Sequence, residues 1–182
     1  VSGAESPLCP GSTTALTVNN PDPALKYTWY TSATGGTGVD GTTFNVPVLN
    51  TTTIYYVGSS NITSGCTSAT RTAVTVTVLG KLDAPVVSTS AVTATIITFA
   101  WPSVTNAVGY EVSVDNGLNW TAPSSGAAGT THMVSGLQPN QRVTIRVRAV
   151  GQLACQLSDA TTFTGNSHNP LGNNIIVPNT FS

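Results

Sequence analysis

Two stretches of the chain, residues 73–79 and 142–150, alternate apolar and polar residues with a period of two. They read AVTVTVL and RVTIRVRAV. Such alternation predicts half-buried β-strands, because successive side chains of a strand point to opposite faces of its sheet. Elsewhere the chain offers short β-rich runs and turn residues, and no apolar repeat at helical spacing. The sequence therefore predicts an all-β protein.

Each alternating stretch closes one of two similar blocks, which cover residues 1–80 and 84–165. Short strands at regular spacing with turn residues between them are typical of β-sandwiches. We therefore expect two tandem β-sandwiches with a short connection. Residues 166–182 are polar at first and lack this rhythm, which predicts a linker. The apolar run 175–177 then reads as the first strand of a following domain.

The chain carries very little charge, since only 7% of its residues are charged and six Lys/Arg stand against seven Asp/Glu. A net charge of −1 argues against binding to nucleic acid, which needs a basic surface to displace counterions from phosphates. No apolar run approaches the roughly 18 residues that a membrane-spanning helix needs. Low charge with abundant Ser and Thr is typical of secreted surface modules, so we expect a secreted location.

The three cysteines lie unevenly, with Cys9 and Cys66 in the first block and Cys155 alone in the second. A Cys9–Cys66 disulfide would close a long loop and stabilise a small core by about 4 kcal/mol. This pairing is the prediction, and two unpaired thiols are the alternative. Cys155 is either a buried thiol or the partner of a cysteine beyond this sequence.

Two short motifs resemble sites but predict turns. Residues 36–41 fit G-x-G-x-x-G, yet the motif precedes a strand and not the helix that a dinucleotide site requires, so it predicts a hairpin loop. Residues 113–120 fit S-x-D-x-G-x-x-W, the Asp-box of sialidases. Here Asp115 would accept backbone N–H groups, Asn116-Gly117 would supply positive φ angles, and Trp120 would cover the turn. The alternative is that Trp120 stacks on a sugar.

Three of the four arginines, Arg142, Arg146 and Arg148, share one parity of a single predicted strand. They therefore line one face of a sheet. This face is either simply solvated or an anion site that binds acidic polysaccharide through bidentate guanidinium contacts.

The residues that could carry catalysis or bind a metal are few and scattered. His132 and His168 stand apart from any cysteine or carboxylate cluster, so no metal site is predicted. The only glutamates, Glu5 and Glu111, lie in different blocks and do not suggest the paired carboxylates of a glycosidase. We expect no cofactor, no metal and no enzymatic activity.

Several residues of the first block resemble a bacterial immunoglobulin-like domain that is common in Bacteroidetes surface proteins. They are Cys9-Pro10-Gly11, Trp29-Tyr30, the run Thr53–Val57 and Gly65-Cys66. The resemblance covers about 70 residues and implies an immunoglobulin-like sandwich with Trp29 in its core. Its cysteines do not follow the antibody pattern, so a Cys9–Cys66 bridge would hold the end of the sandwich.

The second block resembles a fibronectin type III domain. Trp101 stands at the position of that family's core tryptophan, Tyr110 at the tyrosine of its third strand, and Leu137-Gln138-Pro139 before its long strand. The family usually has a corner tyrosine six residues after that leucine, where this chain has Val143. The resemblance implies a second sandwich without the tyrosine-corner hydrogen bond.

Residues 174–182 resemble the opening of the gliding-motility-associated C-terminal domain. In that family the domain directs export through the type IX secretion system to the cell surface. The resemblance implies that the type IX machinery is a partner through the region after the second sandwich.

Together these observations predict a non-catalytic stalk or adhesion module of a secreted bacterial cell-surface protein. Its partners would be extracellular or cell-surface polysaccharides or proteins. The alternative is an accessory or carbohydrate-binding spacer module of a secreted polysaccharide-degrading enzyme. The residues of interest are Trp120 and the arginines Arg142, Arg146 and Arg148.

Overall fold

A computed structural model describes residues 6–169 of the chain. These residues form twelve β-strands and one short 3₁₀ helix. They divide between residues 81 and 82 into two compact units. The predicted all-β fold class is confirmed.

The first unit contains six antiparallel strands in two sheets. Strands β1 and β4 form one sheet, and the other has the order β3-β2-β5-β6. The strands are β1 (Ser12–Thr17), β2 (Leu25–Tyr30), β3 (Val39–Asp40), β4 (Thr43–Leu49), β5 (Thr53–Asn61) and β6 (Thr72–Val76).

The core of the first unit lies between these two sheets. Leu16 and Val46 come from the two-stranded sheet, and Trp29, Val57 and Val76 come from the four-stranded one. Trp29 is only 1% exposed, as the sequence predicts. Its Nε1 donates to the carbonyl oxygen of Gly41 at 2.9 Å, so the buried indole N–H is satisfied.

The second unit also packs two antiparallel sheets, with the strand orders β10-β8-β7 and β12-β11-β9. The strands are β7 (Ser88–Val92), β8 (Ile96–Ala100), β9 (Gly109–Ser113), β10 (Thr131–Ser135), β11 (Arg142–Val150) and β12 (Thr161–Asn166), and the 3₁₀ helix is Ala154–Gln156. Their inward residues form one core, which includes Phe99, Trp101, Tyr110 and Ile145.

The predicted Cys9–Cys66 disulfide is wrong. Cys66 is an exposed free thiol, whereas Cys9 and Cys155 are disulfide-bonded. The strand register explains why Cys9 and Cys66 do not meet. Leu8, beside Cys9, pairs with Val78 after β6 ends, and Cys66 lies before β6 begins. A five-residue strand spans roughly 16 Å, far beyond the ~7 Å that separates bridged Cα atoms.

The second unit continues beyond the predicted start of the linker at residue 166. Asn166 still pairs with Arg142 in β12. The Oγ of Ser167, which is 3% exposed, donates to the Gln138 carbonyl oxygen at 2.7 Å. The His168 N–H donates to the Thr93 carbonyl oxygen at 2.8 Å. Polar residues can thus belong to a sandwich when their hydrogen bonds close its end. The predictions for residues 170–182, including the strand at 175–177, lie outside the described residues.

Candidate functional site

The Asp-box residues fold into a closed turn directly after β9, as the sequence predicts. Asn116 and Gly117 both have positive φ, at 62° and 89°. The Asp115 carboxylate accepts hydrogen bonds from Ser113 Oγ at 2.7 Å and from the Asn119 backbone N–H at 2.9 Å. Its second oxygen accepts one from Asn119 Nδ2 at 2.6 Å. Both carboxylate oxygens therefore serve the turn.

These hydrogen bonds set the protonation of Asp115. The Asn119 backbone N–H contributes most, and the Ser113 hydroxyl and the Asn119 side chain add to it. Together they lower the pKa of Asp115 to about 2, because each stabilises the carboxylate over the acid. A carboxyl held ionised in this way is unsuited to act as a general acid near neutral pH.

Trp120 lies against the sheet formed by β9 and β11. Its Nε1 donates to the Gly117 carbonyl oxygen at 3.1 Å. The Cζ of Arg148 lies 4.0 Å from the centre of the indole ring. Nε and Nη2 of Arg148 both contact Glu111 Oε2 at 2.7 Å, and Glu111 stands directly opposite Arg148 in the sheet. Arg148 thus covers one face of the Trp120 ring while its charge is paired.

Arg146 contacts the same turn. It is a residue of β11 that pairs with Ser113 of β9, and its Nη1 donates to the Asn116 carbonyl oxygen at 3.0 Å. The positive φ of Gly117 favours glycine, and a Cβ there would lie 2.8 Å from this Nη1, so the Arg146 guanidinium would have to shift. The Nε of Arg146 is buried and has no hydrogen-bond partner among the described residues.

Arg142 is not part of this group. It begins β11 opposite Asn166 of β12 and is exposed. Four residues along a strand separate it from Arg146, a distance of roughly 13 Å. The structure therefore brings together Trp120, Arg146 and Arg148, and leaves Arg142 apart on the same face. Contact of these residues with a glycan or an anion stays a prediction.

Within the glycine-rich motif at residues 36–41, residues 36–38 end the loop that joins β2 to β3, residues 39–40 form β3, and Gly41 lies in the turn before β4. Gly36 has a φ of 74° and Gly41 a φ of 149°, and no helix follows. The hairpin-loop prediction is confirmed for residues 36–38, whereas Val39 and Asp40 form a short strand that pairs with β2.

A second arginine–aromatic pair, which sequence reasoning missed, lies in the first unit. The Cζ of Arg71 is 3.2 Å from the centre of the Tyr30 ring. Its Nη1 donates to the carbonyl oxygens of Ser32 and Gly35, each at 2.8 Å. Arg71 precedes β6, and Tyr30 ends β2, two strands away in the sheet. Only the pairing register brings these residues together.

Beside this pair a hollow of about 200 Å³ opens on the outer face of the four-stranded sheet. We call it the Gly58 hollow after Gly58 of β5, which is one of its lining residues. Its walls include Thr28, Tyr30, Ser60, Thr67, Ser68 and Arg71.

Within residues 6–169 no group of three or more His, Cys, Asp or Glu side chains is placed to hold a metal ion. The same residues include no helix with the length and apolar character needed to cross a membrane.

Comparison with known proteins relates the first unit to an immunoglobulin-like family model and the chain to a solved all-β structure. Residues 1–79 match the family model described as "Ig-like domain CHU_C associated". No curated protein sequence matches the chain. Among solved structures, domains A168–A170 from titin align with a TM-score of 0.55 and 15% identity, covering 89% of this chain and 61% of that one.

Two further structures align less well. The FN1–FN3 domains of chicken CNTN1 give a TM-score of 0.43 at 14% identity, covering 93% of this chain and 67% of that one. The crystal structure of FN3tt gives 0.39 at 18%, covering 50% and 98%. At these identities the similarity to titin shows the sandwich fold alone.

Proposed function

We propose that this chain is a non-catalytic stalk or adhesion module of a secreted bacterial cell-surface protein. One observation carries the proposal. In the cluster around Trp120, the charged groups Asp115, Glu111 and Arg148 all bond to other groups of the chain. The charged side chains that could act in catalysis there are instead engaged in hydrogen bonds that stabilise the fold.

Two further findings support an extracellular location. The first unit matches an immunoglobulin-like family model, and Cys9 and Cys155 are disulfide-bonded. Disulfides persist in oxidising compartments and are rare in the cytosol. Export by the type IX secretion machinery is part of the proposal, and it rests on the sequence resemblance of residues 174–182.

The adhesive part of the proposal is tested by coating beads with the full chain. The beads are passed in flow over surfaces that carry an acidic polysaccharide, a neutral polysaccharide or protein. Retention on one of these surfaces, beyond that of beads coated with an unrelated β-sandwich, supports adhesion.

The stalk part is tested by pulling on single molecules of the same chain with a reductant present, because a disulfide keeps the residues that it encloses from bearing the force. Under these conditions two compact sandwiches predict two separate unfolding events. A chain that extends without resisting force and is also not retained in flow would contradict the proposal as a whole. So would turnover of a glycoside or ester that one substitution abolishes.

The alternative, a carbohydrate-binding spacer of a polysaccharide-degrading enzyme, places Trp120 against a sugar. Arg148 already occupies one face of that ring. A neutral oligosaccharide that binds the chain, and that Trp120→Ala releases while the chain stays folded, would favour this alternative.

A further inference from the structure

The Gly58 hollow exists because a glycine stands in the middle of a nine-residue strand. Gly58 does not have a positive φ. A Cβ there would meet Arg71 Cγ at 3.6 Å, Tyr30 at 3.7 Å and Ser68 Oγ at 3.9 Å, all ordinary contacts. Neither backbone conformation nor crowding therefore requires glycine. Glycine weakens a strand interior, and it commonly marks a place where a ligand approaches the backbone closely.

Hydroxyl groups surround this opening. Ser60 lies two residues from Gly58 on the same strand face, and it pairs directly with Thr67 across an antiparallel bridge. The hydroxyls of Ser60 and Thr67 make no hydrogen bond to any group in residues 6–169. They are therefore available to a ligand.

The charge beside the hollow is positive. Arg71 forms no ion pair with a carboxylate of residues 6–169, and no Asp or Glu lines the hollow. The nearest acid in the sheet, Asp40, bonds to Thr28 and pairs with Lys26 at 2.7 Å. The charges of Asp40 and Lys26 offset each other, which leaves the Arg71 guanidinium to attract an anion.

The position of Arg71 is also fixed before any ligand arrives. Its Nη1 holds the carbonyl oxygens of Ser32 and Gly35, and its plane lies against Tyr30. A guanidinium held in this way presents its remaining N–H groups with little entropy left to lose. Preorganised donors of this kind favour planar or tetrahedral oxyanions.

We propose that the Gly58 hollow binds an acidic sugar residue, one that carries a carboxylate or sulfate group. Arg71 contacts the oxyanion, the hydroxyls of Ser60 and Thr67 contact the sugar hydroxyls, and the ring lies over Gly58. The hollow is smaller than the roughly 300–1,000 Å³ of sites for drug-sized ligands, which suits a single sugar ring. This inference rests on the proposed adhesive function and names its ligand class.

The test measures binding of the full chain to oligogalacturonate and to a chondroitin sulfate oligosaccharide by calorimetry. A neutral cello-oligosaccharide and inorganic sulfate serve as comparison ligands. Gly58→Val fills the hollow without changing charge, and Arg71→Gln removes the guanidinium. Thr75→Val places the same side chain at an exposed position of β6 that does not line the hollow.

We expect the wild-type chain and Thr75→Val to bind at least one acidic oligosaccharide equally. Gly58→Val and Arg71→Gln should each bind it about tenfold more weakly or worse. Melting temperatures establish that each variant is folded, and Gly58→Val keeps the test valid if Arg71→Gln does not fold.

Where an acidic sugar binds the chain, three results would overturn the inference. They are equal binding by Gly58→Val, equal affinity for the neutral oligosaccharide, and inorganic sulfate binding as tightly as the acidic sugar. Acidic-sugar binding that survives in Gly58→Val would overturn only the site, because the adhesive function would stand. Absence of any sugar binding would also overturn the inference, while the flow and pulling measurements would still decide the proposed function.

Discussion

The Cζ of Arg148 lies 4.0 Å from the centre of the Trp120 ring. The same guanidinium pairs with Glu111, at side-chain exposures of 25% for Arg148 and 37% for Glu111. One arginine thereby joins strand β11, its neighbour β9 and the turn that follows β9. The charge of Arg148 is paired with Glu111 and its planar face contacts Trp120. Arg148 therefore holds Trp120 in place and is poorly suited to bind an anionic ligand.

Replacement of Arg148 by Gln should destabilise the second unit by about 1–2 kcal/mol, from a cation–π contact and a partly exposed ion pair. Urea unfolding followed by tryptophan fluorescence measures this change. Arg142→Gln is the matched control, because Arg142 lies on the same strand face and is exposed. Its effect should stay within about 0.5 kcal/mol. Equal losses in the two variants would show that the contacts of Arg148 with Trp120 and Glu111 together add nothing measurable to stability.

The turn around Asp115 predicts a pH dependence of stability. The pKa of Asp115 is lowered from 3.8 to about 2, so the folded state binds its proton less readily than the unfolded state. The stabilisation is therefore fully present above pH 3.8 and is lost as the pH falls towards about 2. Asp115→Asn should melt below wild type at neutral pH, and the gap should narrow over this acidic range.

Calorimetric melting temperatures of wild type and Asp115→Asn at several pH values measure that gap. An NMR titration of the Asp115 carboxyl provides a direct second reading. A gap that stays constant down to pH 2, or a titration at the ordinary value, would contradict the proposed hydrogen bonding.

The cysteines predict one reactive thiol in the chain. Cys66 is exposed and free, whereas Cys9 and Cys155 are disulfide-bonded. Iodoacetamide applied to the folded chain without reductant should therefore add one label, at Cys66, as mass spectrometry of the digest would show. Cys66→Ser should take up none. Labelling at Cys9 or Cys155, or a Cys66-containing disulfide peptide, would be inconsistent with the structure.

The sequence predicts the positions of strands more readily than it predicts which residues face each other on neighbouring strands. The alternation in residues 142–150 correctly places Val143, Ile145 and Val147 inside and the arginines on the other face. The register then decides which group each arginine meets: Arg148 faces Glu111, Arg146 faces Ser113 and Arg142 faces Asn166. Alternation within one strand does not specify that register, because it depends on how the apolar faces of both strands align and on the connections between them.

Other features escape the sequence for related reasons. Strand β10, THMVS, shows no regular alternation of burial, so its pattern gives no period-two signal. The Cys9–Cys66 prediction assumed that two cysteines of one block pair, and the register places them at opposite ends of β6. The Gly58 hollow arises from residues of β2, β5 and the segment before β6, which are separate in the sequence.

The two core tryptophans offer a matched comparison of one hydrogen bond. Trp29 Nε1 donates to the Gly41 carbonyl oxygen, whereas Trp101 Nε1 is buried and has no partner among the described residues. The side chains are similarly buried, at 1% and 3% exposure. Replacement by Phe costs packing at both positions, but only Trp29→Phe also leaves a carbonyl oxygen without its donor. We therefore expect Trp29→Phe to destabilise its unit by about 1–2 kcal/mol more than Trp101→Phe destabilises its own.

Differential scanning calorimetry, with each loss read from the transition of the unit that carries the change, measures this difference. Gly41 itself is unchanged in both variants, so the comparison isolates the donor. If Trp101→Phe is as costly as Trp29→Phe, the expected contribution of the Trp29 hydrogen bond is contradicted. If Trp101→Phe is neutral or stabilising, burial of the unpaired indole N–H destabilises the unit by at least as much as the larger indole ring stabilises it through packing.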